Sequence, residues 1–293
     1  MNFRTFAAIA VLPFLLVVAA MAQIQPASCQ FQLLDFPGAQ STEASGINHA
    51  GVVVGSYVVH APARSGFVFH QGQFVTYTVP GSSSTSLFGI NNLGWMVGSY
   101  RDQNLHSHGF LLRNQQLIKF DVPHAQETIA TGINDGGVIV GSFFDGVSNH
   151  GFVKIGGIFI TLNYPGSTST VAAGINNHGS IVGSFTSSTG GGGFLYQNGR
   201  FTAVNVPDEG PSTSPAGISG GGEIVGRYME QTLLPHIPRG FIDQSNGFKS
   251  VIFGQDHGTF LKGINGNSMI VGTYHQNSPE DFAFRSFIAS NCR

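Results

Sequence analysis

Gly89-Ile90-Asn91-Asn92-Leu93-Gly94-Trp95-Met96-Val97-Gly98-Ser99-Tyr100 decides the fold, because the same pattern occurs six times along the chain. GINHAGVVVGSY begins at Gly46, GINDGGVIVGSF at Gly132, GINNHGSIVGSF at Gly174, GISGGGEIVGRY at Gly217 and GINGNSMIVGTY at Gly263, so successive copies lie 43, 43, 42, 43 and 46 residues apart. A period of this length marks a repeat architecture in which each unit is one supersecondary element. Here each unit reads as four short strands. The first ends in Gly-Ile-Asn, and the second is an apolar run such as Val52 to Tyr57. Asn91 and Gly94 bracket a tight turn between them. The third strand is Gly66 to Phe69 and its equivalents, and the fourth runs from Phe74 to Val79. Asn198-Gly199, Asn246-Gly247 and Gly156-Gly157 join third to fourth strands as hairpins. Pro80, Pro123, Pro165 and Pro207 end fourth strands, where a missing N–H is tolerated.

The chain ends choose between a ring and a linear stack. Phe31 to Gly38 is an orphan fourth strand ahead of the first complete unit, while Arg285 to Ile288 matches Arg239 to Ile242, so the chain stops after a third strand. A linear solenoid gives no reason to split a repeat in this way. A ring does, because the N-terminal strand can complete the last blade. The expectation is an all-β, six-bladed β-propeller of four-stranded antiparallel blades, closed by that N-terminal strand. Cys29 then falls at the place of Gly72, and Cys292 falls at the same hairpin turn. A Cys29–Cys292 disulfide is expected to replace the missing turn; the rival, a lipid-modified Cys29, lacks the apolar residue expected three positions earlier. The glycine within each second strand, such as Gly55 or Gly98, is read as a close approach of neighbouring sheets. Tyr57, Tyr100, Phe143, Phe185, Tyr228 and Tyr274, two positions further on, are read as core between sheets.

With these elements in view, the chain resembles the bacterial extracellular HAF-repeat family. The resemblance covers Phe31 to Cys292 and rests on the G-I-N-x-x-G-x-I-V-G-S-Y and P-G-S-x-x-T elements. The family's His-Ala-Phe triplet is altered here to His108-Gly109-Phe110, His150-Gly151-Phe152, Ser65-Gly66-Phe67 and Arg239-Gly240-Phe241. It implies an extracellular repeat protein and carries no catalytic residue over to this chain.

Residues 1–22 read as a secretory signal: Arg4, an apolar run from Phe6 to Ala20 interrupted by Pro13, and a small-x-small cleavage site at Ala20-Met21-Ala22. Residues 23–293 then form a single propeller domain, secreted to an extracellular or periplasmic space, monomeric, and not inserted in a membrane once the signal is removed. The chain is 41% hydrophobic and carries 41 Gly but only 10% charged residues, which excludes disorder driven by charge. Its 13 Lys and Arg are scattered among 15 acids, which argues against a nucleic-acid partner. No phosphate loop, zinc spacing, acidic calcium loop or nucleophile elbow occurs in the sequence, so neither cofactor nor metal is expected.

Side-chain chemistry is distributed unequally between the two ends of the units. Connections from first to second strand and from third to fourth are tight turns; the opposite end carries longer, unequal loops. Eight of the 11 His fall on that loop end. No catalytic residue is assigned. Arg101, His106, His108, Asp145, His150, His236 and Arg239 are the candidate ligand-binding residues, and no histidine has a partner carboxylate fixed by the repeat. The leading expectation is a non-catalytic propeller that binds an extracellular glycan or protein on its loop face. The alternatives are a hydrolase or lyase with a loop-face funnel, and a structural repeat protein without a ligand.

Overall fold

The structure, a computed structural model, describes residues 24–207, 212–230, 237–254, 257–276 and 283–292. The expected signal segment, 1–22, and the candidate His236 lie outside the described residues.

Six antiparallel sheets follow one another around a ring. Blade one is Ser41–Ile47, Val53–Val58, Ser65–His70 and Gln73–Tyr77. Blade two is Ser84–Ile90, Met96–Arg101, Ser107–Arg113 and Gln116–Phe120. Blades three, four and five begin with the inner strands Glu127–Ile133, Ser169–Ile175 and Ser214–Ile218. Blade six combines His257–Ile264, Ile270–Gln276 and Phe284–Ser290 with the N-terminal strand Gln30–Leu33, which pairs antiparallel to the last strand. The expected closure is therefore present. One addition was not expected: Gln25–Pro26 lies parallel to the outer strand of blade five, opposite Lys249 and Ser250, before the chain crosses to blade six.

The repeated Gly-Ile-Asn explains the ring. In every inner strand a register shift falls just before it, as between Ala44 and Gly46. The glycine then lies against the next inner strand: a Cβ on Gly46 would meet Gly89 Cα at 3.2 Å and Phe88 O at 2.8 Å. Gly89, Gly132, Gly174 and Gly217 approach the following glycine in the same way, and Gly263 returns to Gly46 at 3.3 Å. Only glycine permits six backbones to meet so closely. Just below, the asparagines link neighbouring turns. Asn48 Nδ2 donates to Asn91 O at 3.2 Å, Asn91 to Asn134 O at 3.0 Å, Asn134 to Asn176 O at 3.2 Å and Asn176 to Ser219 O at 3.1 Å, while Asn265 closes onto Asn48 O at 2.9 Å. The other side of each amide caps its own turn, as Asn91 Oδ1 does by accepting from the N–H groups of Leu93 and Trp95.

The P-G-S-x-x-T element works at the opposite end. Thr42, Thr85, Thr128, Thr170, Thr213 and Thr259 accept the N–H of Phe36, Val79, Val122, Tyr164, Val206 and Phe253 at 2.9–3.1 Å, tying each inner strand to the preceding blade's outer end. Phe67, Phe110, Phe152, Phe194, Phe241 and Phe287 are fully buried, one per blade. These rings correct the reading of the second-strand glycines. A Cβ on Gly55 would meet Glu43 O at 2.1 Å and the Phe67 ring at 2.7 Å, both within its own blade. The glycine makes room for a ring on the adjacent strand rather than for the next sheet. The aromatics two positions on do reach between blades: Tyr57 stacks on Phe36 and Phe185 on Tyr164, with centroids 3.6 and 3.7 Å apart.

Cys29 and Cys292 form a disulfide, with Cα atoms 4.1 Å apart, beside the Gln30–Ser290 pair. Asn291 keeps φ +53° and its repeat equivalent Gln71 has φ +49°, so the bridge stands where a hairpin turn would otherwise run. The loop-entropy model gives this closure at most about 5 kcal/mol. The double variant Cys29→Ser/Cys292→Ser is therefore expected to melt well below the oxidised protein, and equal melting temperatures in calorimetry would remove the bridge from the account of stability. A second prediction concerns the one place where the asparagine ring is interrupted. Ser219 directs its hydroxyl to Glu223, accepting from the Glu223 N–H at 3.1 Å. In Ser219→Asn the amide should reach Asn265 O as its counterparts reach their neighbours, raising stability by about 1 kcal/mol. A lower midpoint in urea unfolding would show that the blade five to six joint is built differently.

Candidate functional site

The channel along the axis has two unlike ends. At the tight-turn end a cavity of about 210 Å³ is walled by the Gly-Ile-Asn segments and rimmed by His49, Asn92, Asp135, Asn177, Gly220 and Gly266. Its polar groups are engaged with one another. Asn92 donates through its backbone N and its Nδ2 to Asp135, both at 2.8 Å, and Asn177 Nδ2 donates to Asp135 Oδ2 at 2.6 Å. Burial alone would raise the Asp135 pKa, but these hydrogen bonds outweigh it and hold the carboxyl below its ordinary value. This rim is a structural clasp.

The loop end holds a larger cavity with fewer of its side chains paired. A cavity of about 410 Å³ is lined by Arg64, Arg101, Leu105, Phe88, Ile129 and the serines 83, 84, 86, 99 and 107. Arg101 is exposed at the end of its strand, and its guanidinium makes no hydrogen bond or ion pair among the described residues. Arg64 Nη1 donates to Glu43 Oε1 at 2.5 Å. Phe88 and Ile129 stand on inner strands, and Phe88 lines the narrow waist of the channel as well, so cavity and channel are neighbours. Lys262 also lines that waist. Its Nζ lies 6.0 Å from the centroid of Phe260, over which Arg227 is placed at 5.4 Å. Burial chiefly lowers the Lys262 pKa; Glu43 opposes the shift, and the guanidiniums of Arg227 and Arg64 add to it. Sequence reading did not single out Glu43, Arg64, Arg227 or Lys262. The available signal was their departure from the residue that other copies carry.

The expected site residues separate into distinct groups. His108 and His150 each pair with carboxylates, contrary to the expectation of unpartnered histidines. His108 Nδ1 lies 2.9 Å from Asp121 Oδ2, its Nε2 lies 3.6 Å from Asp102 Oδ2, and its ring stacks on Tyr100. His150 Nε2 lies 3.0 Å from Asp145 Oδ2, with Asn163 at the other ring nitrogen. Backbone N–H groups of Ser148 and Val147 dominate in pulling the Asp145 pKa down to about 2. His106 is exposed and contributes its backbone N–H to Asp102 Oδ1 at 2.9 Å. Arg239, expected on a loop, opens a strand and is only 7% exposed, with Nε 2.9 Å from Glu230 Oε2. Its side chain is buried beside Glu230, so its replacement would disturb packing. The structure thus places Arg101 in the loop-face cavity and the His108 and His150 clusters on blades two and three.

No protein-family model matches the chain, and no curated protein is similar to it in sequence. Comparison with solved structures gives the class. A mutant of the Aleuria aurantia lectin in complex with Fucalpha1-6GlcNAc superposes with TM-score 0.55 at 8% identity, over 87% of this chain and 97% of that one. TolB from Acinetobacter baumannii gives TM-score 0.52 at 13% identity, over 85% of this chain and 54% of that one. Virginiamycin B lyase from Staphylococcus aureus gives TM-score 0.50 at 12% identity, over 90% of this chain and all of that one. At these identities the likeness shows the fold alone: the chain is a six-bladed β-propeller.

The His108 cluster yields a prediction of definite sign. Burial would lower its pKa, but the hydrogen bonds and charges of Asp121 and then Asp102 prevail and raise it above 6.5. A raised folded-state pKa means that the stabilisation is fully present below pH 6.5 and is lost as pH rises through the folded value. An NMR titration of the His108 ring is expected to show the raised midpoint, and Asp121→Asn should bring it down. A midpoint unchanged by that substitution would disconnect the pair.

Proposed function

We propose that this chain is a secreted, non-catalytic propeller that binds an extracellular glycan or protein through its loop face. The observation that carries the reading is the loop-end cavity, which an uncommitted guanidinium, five serines and the apolar side chains of Phe88, Leu105 and Ile129 line together. Pockets of this mixed character, on connections held by a rigid scaffold, are common ligand sites. The tight-turn end offers the opposite, a rim whose side chains already satisfy each other. Secretion is supported by the disulfide, since such bridges persist in oxidising compartments. Among the described residues no helix is long and apolar enough to cross a membrane. Residues 1–22 serve as the signal and 23–293 as the domain in this reading.

A hydrolase or lyase is the second reading, and the His108 cluster is the observation that favours it. Yet both ring nitrogens of His108 face carboxylates, so neither is directed at an open position for proton transfer. Binding therefore stands ahead. The test compares faces: Arg101→Ala on the loop end, His178→Ala on the turn end. Both are exposed positions whose change should move stability by under about 0.5 kcal/mol. Glycan-array and surface binding are expected to weaken for Arg101→Ala and to persist for His178→Ala. The reverse pattern would place the site at the wrong end of the propeller.

A further inference from the structure

We propose that the loop-face mouth of the axial channel is an anion site and that its ligand is an acidic oligosaccharide, bound through sugar carboxylates; this rests on the loop-face reading above. Three cations from three blades lie near enough to act on one another, with Lys262 in the channel wall. Arg64 comes from the connection that precedes a third strand of blade one, Arg227 from the second strand of blade five, and Lys262 from the inner strand of blade six. Lys262 stands in the channel wall next to Gly263, the glycine that closes the ring, and shares the Phe260 ring with Arg227. Among the described residues a single carboxylate, Glu43, answers Lys262, and it is already held by Arg64. The chain as a whole carries a net charge of -2, so this concentration is opposite in sign to the rest of the protein.

The fold does not need these cations. At the position of Arg227 the other copies carry Ser56, Ser99, Ser142, Ser184 and Thr273. At the position of Lys262 they carry Ser45, Phe88, Thr131, Ala173 and Ala216. Glu43 likewise stands where its counterparts are serine or apolar. Three rare substitutions, far apart in sequence, therefore meet at one point. Burial and like charge there are unfavourable, as the lowered Lys262 pKa registers. A bound anion would offset both.

The chemistry beside the cluster selects the ligand. Guanidinium forks match carboxylates in a bidentate manner. The neighbouring cavity presents Ser83, Ser84, Ser86, Ser99 and Ser107 together with Arg64 and Arg101, and Phe88 lines both this cavity and the channel. Hydroxyls for hydroxyls, a ring face for sugar C–H groups and cations for carboxylates together describe an acidic oligosaccharide. A nucleic acid would require a basic track along its backbone, and the remaining basic residues are scattered.

The test is titration calorimetry of the disulfide-bonded chain with trigalacturonate and with its neutral methyl ester. Arg227→Ser and Lys262→Ala, which install residues the other copies already carry, are the variants. The wild type is expected to bind the acid at least about tenfold more tightly than the ester, a preference that weakens with salt. Each variant should lose about fivefold or more toward the acid, leave the ester unchanged, and melt no lower than the wild type. Equal affinity for acid and ester overturns the anion site while loop-face binding stands. Acid binding that survives in both variants places the site elsewhere and overturns it. Tight binding of polyglutamate without binding of trigalacturonate makes the partner an acidic protein, which also overturns it. Binding of neither sugar overturns it and leaves the loop-face reading to be decided by Arg101→Ala.

Discussion

Six α-carbons in contact around one axis set the terms for everything else in this molecule. Gly46, Gly89, Gly132, Gly174, Gly217 and Gly263 bring neighbouring inner strands so close that a Cβ would fall 3.1–3.3 Å from the next α-carbon. That distance determines how many blades fit and leaves a narrow waist. The asparagine two residues on can then span to the next turn. If Gly46, Gly89, Gly174, Gly217 or Gly263 gained a side chain, a carbonyl of the next inner strand, 2.8–3.0 Å from the new Cβ, would be crowded. The constraint is local in origin and global in effect, because a closed ring has no free end to absorb a displacement.

Closure also explains where the covalent bond lies. The N-terminal strand contributes one edge of blade six by hydrogen bonding over four residue pairs and by the packing of Phe31 against Phe253 and Phe287. Such a short pairing is vulnerable to fraying, since both partners are near chain ends. The bridge between Cys29 and Cys292 secures that pairing at the outer rim, while Asn265 and Gly263 secure blade six to blade one at the axis. The joint between blades five and six keeps the glycine contact of Gly217 with Gly263 but lacks the asparagine link, because Ser219 stands where asparagine stands elsewhere; Ser268 Oγ instead donates to Glu223 Oε2 at 2.9 Å.

Much of this was legible because six copies can be compared within one chain. Blade count, strand order, closure and the disulfide all follow from register between copies, which needs no knowledge of side-chain contacts. The second-strand glycine was legible as a requirement but not in its cause. Gly55 makes room for Phe67 on the adjacent strand of the same blade, and a one-dimensional pattern does not reveal which neighbour crowds a residue. The histidines show the same limit. His108 and Asp121 are 13 residues apart and meet only because a hairpin folds one beside the other. The loop-face histidines drew attention as a class, whereas Lys262, Arg227 and Arg64 each looked like an isolated charge.

That difference bears on where specificity is placed in a repeat protein. Loops can vary freely, but their side chains are free to move, so a charge held there forfeits entropy on binding. Glu43, Phe260 and Lys262 instead project from inner strands whose backbones are pinned by the glycine ring. Their positions are determined by the least deformable part of the molecule. The rest of the ring can keep its serine, alanine or threonine there, because only one or two blades need to differ for the axis to acquire a charge. Substitution at a symmetric position thus breaks the symmetry of the channel without disturbing the symmetry of the scaffold. The asparagine bonds that link neighbouring turns lie on one side of the waist, at Asn48 and its equivalents, while the threonine bonds tie blade to blade at the other end of the same six strands, so the scaffold is fastened on both sides of the glycine ring.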